Sequence, residues 1–244
     1  MTEGFGPKVQ GFDHFNFGDH KTLKNLINKK TAAIMVETIM GEGGIKVIPD
    51  WCLKGLRQLC TKKKILLIMD EVQSGIGRTG DFFAFEKSKI KPDIVPIAIG
   101  IGGGFPIGAV LMTKKISSAM IPGSHGSTFG GNPLASKIAL KAIDLLFEEK
   151  LIENSKKMGE YFLTSLRQID SKIIKEVRGK GLWIGMELNK SDVNAKDLCL
   201  MLLNEGLLCK ETHKTVIRFA PPLMISKEDL DWAINKITKV IRAI

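Results

Sequence analysis

The run Leu66-Leu67-Ile68-Met69-Asp70-Glu71 ends an apolar segment on two acids. If that segment is a buried strand, it delivers Asp70 and Glu71 at its C-terminal end, where parallel α/β sheets bind their ligands. Two phosphate-site patterns overlap the stretch. Four apolar residues before Asp-Glu match half of a nucleotide-hydrolase signature, but the chain has no GxxxxGK[ST] loop to cradle the phosphates. Gly75, Gly77 and Gly80 satisfy GxGxxG, yet Asp70 to Ser74 separate them from the strand and an aromatic segment follows. A dinucleotide loop needs its glycines directly after the strand and opening a helix, so both matches read as coincidence. Taken alone, Asp70 could also simply end a strand or cap the next turn.

Further residues suited to chemistry lie apart from this run. Glu37 follows the apolar segment Ala32 to Val36, and Arg218 stands in IRFAPPL. A guanidinium binds carboxylates bidentately, so this pair suits either a carboxylate-bearing ligand or a plain salt bridge between domains. Ser127 and Thr128 sit in HGSTFGGNP, where short hydroxyls beside glycines can approach a phosphate closely. The same segment also reads as an ordinary glycine-rich turn with a structural His125. Cys52, Cys60, Cys199 and Cys209 form no CxxC pair and no metal-ligand spacing with the histidines. They read as reduced buried thiols, and no metal site is expected.

Alternating elements must position these residues. Apolar runs at Ala32 to Val36, Ile65 to Met69 and Ile94 to Ala98 are separated by helical patterns such as Trp51 to Leu59. Such alternation predicts an α/β fold with a mainly parallel sheet buried on both faces. Asn132 before Pro133 predicts the N-cap and first turn of a helix through Phe147, because proline's missing N–H costs nothing there. Beyond it Met158, Phe162 and Leu166 share a helix face, and Leu182 to Leu188 and Val216 to Ala220 read as strands. Ser226 with Asp229 caps a last helix whose stripe is Leu230, Ile234, Ile237, Ile241 and Ile244. We therefore expect a large-domain portion over residues 1–149 and a smaller α+β domain over 150–244.

The net charge of +10 comes almost wholly from lysine. Runs such as Lys62-Lys63-Lys64 lie between apolar segments, as solvated helix ends do, and phosphate recognition favours arginine. No nucleic-acid partner is expected. Neither an export signal nor an apolar run of about 18 residues is present, so no membrane partner is expected and the cytoplasm is the default location.

Five segments in order, DEVQSGIGRTG (70–80), KPDIV (91–95), GIGGGFPIGAV (100–110), HGSTFGGNP (125–133) and IRFAPPL (217–223), resemble the class III, fold-type I aminotransferases that depend on pyridoxal phosphate. The acetylornithine and ornithine aminotransferases are most similar. The resemblance implies the C-terminal part of the large domain followed by the small domain. It implies amino transfer from N-acetylornithine or a related ω-amine to a 2-oxo acid, 2-oxoglutarate, in arginine biosynthesis. By the same resemblance Asp70 pairs with the pyridine nitrogen, keeping it protonated so that the ring accepts electrons. Val72 packs on the ring, Gln73 lies near its phenolic oxygen, and Glu71 is the neighbouring acid. Ser127 contacts substrate and Thr128 the cofactor phosphate across a homodimer interface, while Glu37 and Arg218 pair and manage the substrate carboxylate.

Three departures from the family pattern stand out. The Schiff-base lysine position, between Ala98 and Gly100, holds Ile99, which offers neither a nucleophile nor a base. No substitute lysine is evident, and Lys91 lies at the far end of the preceding strand segment. Thr38 and Met40 replace a proline and a glutamine before GEGG (41–44), which is expected to loosen that wall. The sequence also starts downstream of the family's glycine turn, ring-stacking aromatic and carboxylate-binding arginine. A catalytically inactive remnant or interaction protein, or one completed by an N-terminal fragment on another chain, is the competing expectation.

Overall fold

The computed structural model describes residues 4–189 and 194–244. Helix α1 (His20–Leu26) starts where the Asp19 carboxylate accepts from the Thr22 N–H at 2.9 Å. Strand β1 (Ala33–Glu37) leads into a short hairpin, β2 (Ile39–Met40) with β3 (Lys46–Val47). Helix α2 (Asp50–Lys63) buries Leu53, Leu56 and Cys60 on one face and stops at Lys64, which turns left-handed. Strands β4 (Leu66–Asp70), β5 (Ile94–Ala98) and β6 (Gly108–Met112) follow, then α3 (Lys114–Ser117) and α4 (Pro133–Glu148).

These strands form one sheet in the order β1-β4-β5-β6. Its first three strands are parallel and β6 is antiparallel to β5, so the mainly parallel α/β expectation holds. The expectation of strands buried on both faces fails at the edges. Met35 of β1 is 56% exposed, and β6 exposes Val110 and Leu111. The edge strands have no neighbour on one side, so their side chains lack cover. As the sequence predicts, the Asn132 side-chain Oδ1 accepts from the Ala135 N–H and Pro133 opens α4.

Helix α5 (Leu151–Arg167) begins after Lys150 and buries Met158, Phe162 and Leu166. Then come β7 (Ile174–Lys180), β8 (Trp183–Leu188), α6 (Ala195–Asn204), β9 (Lys210–Thr212), β10 (Val216–Phe219) and α7 (Lys227–Arg242). A second, antiparallel sheet runs β7-β8-β10-β9. The Ser226 hydroxyl caps α7 by accepting from the Asp229 N–H at 3.0 Å. Leu230, Ile237 and Ile241 are buried, each such side chain contributing roughly 1.5–3 kcal/mol. Ile244 lies beyond the last turn and is exposed, so it does not belong to the stripe.

Two cores result. One packs Leu53, Leu67 and Met69 with Val95 and Leu146, and the other packs Phe162, Leu166, Ile184, Leu198, Ile217 and Ile237. Packing within the second core is close. A Cβ at Gly159 would fall 2.1 Å from the Gly181 backbone, so only glycine allows α5 to meet the turn before β8.

Candidate active site

Parallel register sets Glu37 beside Asp70 at the C-terminal ends of β1 and β4, the end where such sheets bind ligands. Asp70 is held locally, its Oδ1 accepting from the Val72 N–H at 2.9 Å. Its side chain and that of Glu37 line an apolar cleft walled by Met35, Val36, Phe15 and Trp51. Val72 and Gln73 line a different cleft, together with Ile76, Ile99, Trp183 and Arg218.

Glu71 takes neither direction. It is fully buried, and its carboxylate accepts from Thr38 Oγ1 at 2.6 Å, Ser74 Oγ at 3.0 Å, and the Ala84 and Phe85 N–H groups at 2.9 and 3.3 Å. Burial pushes its pKa up, while those four donors pull it back. With every lone-pair direction engaged, Glu71 anchors the 71–85 loop and has nothing left for a ligand. Thr38 correspondingly ties the loop after β1 to the loop after β4. The expected loosening of that wall by Thr38 is thus replaced by a buried tether.

The expected Glu37–Arg218 pair is absent. Glu37 Oε2 accepts from the Gly41 N–H at 2.9 Å, which folds the carboxylate back under its own turn. Burial, then the negative charges of Asp70 and Glu42, raise its pKa. Arg218 instead donates from Nη1 to Glu42 Oε1 at 2.9 Å and to Gln73 Oε1 at 3.3 Å. The reason lies in the 41–44 turn, which the second sheet grips from several sides. Thr212 Oγ1 donates to the Glu42 carbonyl at 2.7 Å, and Arg178 donates to the Gly44 carbonyl from Nε and Nη2 at 3.1 and 2.6 Å. Trp183 packs so tightly on Gly41 that a Cβ there would lie 2.7 Å from its ring. The turn therefore points Glu42 at β10. The acid stands in GEGG (41–44), but no local pattern there shows that it, rather than the strand-end Glu37, reaches Arg218.

Arg78 also belongs to this wall, a role that no sequence pattern marks. Its Nη1 donates to the Leu182 and Pro221 carbonyls at 3.0 and 2.5 Å, and burial lowers its pKa. It holds the loop after β10 against the 75–80 loop, so the cleft wall is shared by both cores.

Ile99 opens a 3-10 turn after β5 with φ of +59°, and its side chain is 63% exposed. A β-branched residue in this region is strained, because its Cβ crowds the backbone. Among the described residues, the cleft that Ile99 lines contains the cations Arg78 and Arg218 but no lysine. Lys91 precedes β5 and is exposed, at the opposite end of the strand from Ile99. Ser127 and Thr128 are exposed in the loop before α4 and line neither cleft. The arrangement thus joins Gln73, Glu42 and Arg218, sets Asp70 beside Glu37, and leaves Ser127 and Thr128 apart. It offers an arginine for a carboxylate and an acid for a basic nitrogen. It offers no amine for an aldehyde.

With this geometry in hand, similarity to known proteins is extensive. The aminotransferase class-III family model matches residues 3–241. Ornithine aminotransferase 2 of Staphylococcus aureus is 51% identical over 240 residues, covering 98% of this chain and 60% of that relative. An ornithine aminotransferase from Toxoplasma gondii, whose structure has partial occupancy of PLP at its active site, superposes with a TM-score of 0.94 at 37% identity, over 99% of this chain and 58% of that one. The acetylornithine aminotransferase of Elizabethkingia anophelis gives 0.83 at 41% identity, over 87% and 57%. The chain thus spans about 60% of the length of the curated relatives it matches.

Proposed function

The chain belongs to the class III aminotransferases, and from that premise we propose that it is a non-catalytic member of the ornithine and acetylornithine branch. On its own it does not attach pyridoxal phosphate covalently and does not transfer amino groups to 2-oxoglutarate. Ile99 carries this reading: the residue that follows β5 has no amine, and among the described residues the cleft it lines has no lysine to replace it. A covalent pyridoxal site does not fit this donor set. The family resemblance would give a weaker, noncovalent site Asp70 for a ring nitrogen, Val72 and Gln73 for the ring, Thr128 for the phosphate, and Ser127 and Arg218 toward an amino-acid substrate, but in this chain Asp70 lines one cleft, Val72, Gln73 and Arg218 another, and Ser127 and Thr128 neither. Loss of a covalent anchor costs affinity, since nothing else holds the ring in place. A cytoplasmic location belongs to the same proposal.

Borohydride reduction of purified chain mixed with pyridoxal phosphate, followed by peptide mapping, tests it. No adduct on any specific lysine and no turnover of ornithine or N-acetylornithine are expected. A stoichiometric adduct at one lysine together with turnover would overturn the reading. Ile99→Lys is expected to gain a reducible adduct at position 99 without loss of stability. The native side chain is mostly exposed, and lysine lacks the β-branch that adds to crowding at this left-handed position.

Exposed apolar residues at both sheet edges, Met35 on β1 and Val110 with Leu111 on β6, favour a second reading in which the chain works against another polypeptide. That partner is a second copy or a complementing N-terminal fragment of the family. Light scattering alone and with such a fragment separates the two, and a monomer under both conditions would sink this reading.

A further inference from the structure

We propose that the apolar cleft at the C-terminal ends of β1 and β4 binds a small organic amine as its ammonium ion, an amine with an apolar or aromatic body and no carboxylate or phosphate. The cleft encloses about 400 Å³, the size of a small-molecule site, and Phe15, Phe17 and Trp51 give it aromatic walls. Its charge is one-sided. Among the described residues, the carboxylates of Asp13, Asp19, Glu37 and Asp70 line it, with two histidines and neither lysine nor arginine. That is the reverse of the chain as a whole, whose net charge is +10.

The two strand-end acids are placed to share one ammonium group. Glu37 and Asp70 are register partners on neighbouring parallel strands, so their side chains leave the same sheet face from Cα atoms about 5 Å apart. Glu37 Oε2 is engaged by the Gly41 N–H and Asp70 Oδ1 by the Val72 N–H. Among the described residues, Glu37 Oε1 and Asp70 Oδ2 have no hydrogen-bond partner, and neither is sealed from solvent. An ammonium carries three N–H donors, enough to reach both free oxygens, and its charge relieves the repulsion between the two carboxylates. Asp19 adds charge alone, because Thr22 already occupies both of its oxygens.

Apolar surface for the body of the ligand lies beside these acids. Met35, two residues before Glu37 and on the same face of β1, lines the cleft and is largely exposed. The aromatic walls favour a cation as well, and the Lys46 ammonium, which does not line the cleft, already lies 5.7 Å from the Phe17 ring centroid. The same charges set what the cleft rejects. Pyridoxal phosphate and amino acids both carry an anionic group, and the lining has no guanidinium or ammonium to meet it. Arg218 and Ile99 line the other cleft, so this site does not depend on whether the chain attaches pyridoxal phosphate.

Isothermal titration calorimetry of the intact chain with 2-phenylethylamine, 2-phenylethanol and phenylalanine tests this directly. The amine should bind at a single site, the uncharged alcohol should bind about tenfold or more weakly, and phenylalanine should not displace the amine. Glu37→Gln and Asp70→Asn keep the side-chain shape and remove the charge. Each should weaken the amine by about tenfold and leave the alcohol unchanged. Thermal melts check that both variants fold, and the ligand series on the native chain decides the matter without them. Absence of binding heat from the amine, an alcohol within about threefold of it, or displacement by phenylalanine would each overturn the proposal. So would a dimer, seen by light scattering, that must dissociate before the amine binds, because a second copy would then be the occupant.

Discussion

Replacing Thr38 by valine removes one hydroxyl and keeps the side chain's shape. Thr38 is fully buried and its Oγ1 lies 2.6 Å from Glu71 Oε1, the shortest of four contacts to that carboxylate. A hydrogen bond to an ionised group contributes about 1.5–3 kcal/mol. For a chain of this size that corresponds to a fall in Tm of about 3–12 °C. The cost should depend on pH. Burial raises the folded-state pKa of Glu71 above its unfolded value, so its contribution to stability is fully present below the unfolded pKa and is lost as pH rises through the folded one. Thr38 opposes that rise, so without it the loss at higher pH grows. Urea denaturation of wild type, Thr38→Val and Thr38→Ser at neutral pH and near the carboxylate range is the assay. The valine penalty should shrink on acidification, and serine, which keeps the hydroxyl, should lose only a methyl contact. A valine variant within about 0.5 kcal/mol of wild type, the usual spread of neutral substitutions, would refute the tether. So would a penalty equal at both pH values.

Two further outcomes test the packing of the second core and the surface. Gly159→Ala should cost about 3 kcal/mol, the upper range for overpacking, because the new Cβ meets the Gly181 backbone at 2.1 Å, and thermal denaturation would show it. Glu205 accepts from Lys236 and Lys239 at 2.8 and 2.6 Å, and these contacts hold its pKa near about 2. Its contribution is present above the ordinary carboxylate range and lost as pH falls toward that value. The Tm difference between Glu205→Gln and wild type should therefore vanish in strong acid, and a constant difference would count against the contact.

Local chemistry made much of this protein legible in its sequence. Apolar runs marked β1, β4 and β5, and Asn132-Pro133 and Ser226 marked the starts of α4 and α7, because periodicity and capping act within a few residues. The position of Asp70 at a strand end follows from the same short-range order, whereas the expectation of an amine at position 99, where Ile99 stands, came from the family resemblance. Tertiary structure decided which side chains met. Glu42 and Arg218 are 176 residues apart, and Glu42 displaces Glu37 as the partner only because Thr212, Arg178 and Trp183 fix the turn between them. Glu71 turns inward because the 84–85 amides and Thr38 arrive from other elements to meet it. Direction after a strand ends is set by whatever packs on the loop, and that is information no local pattern carries.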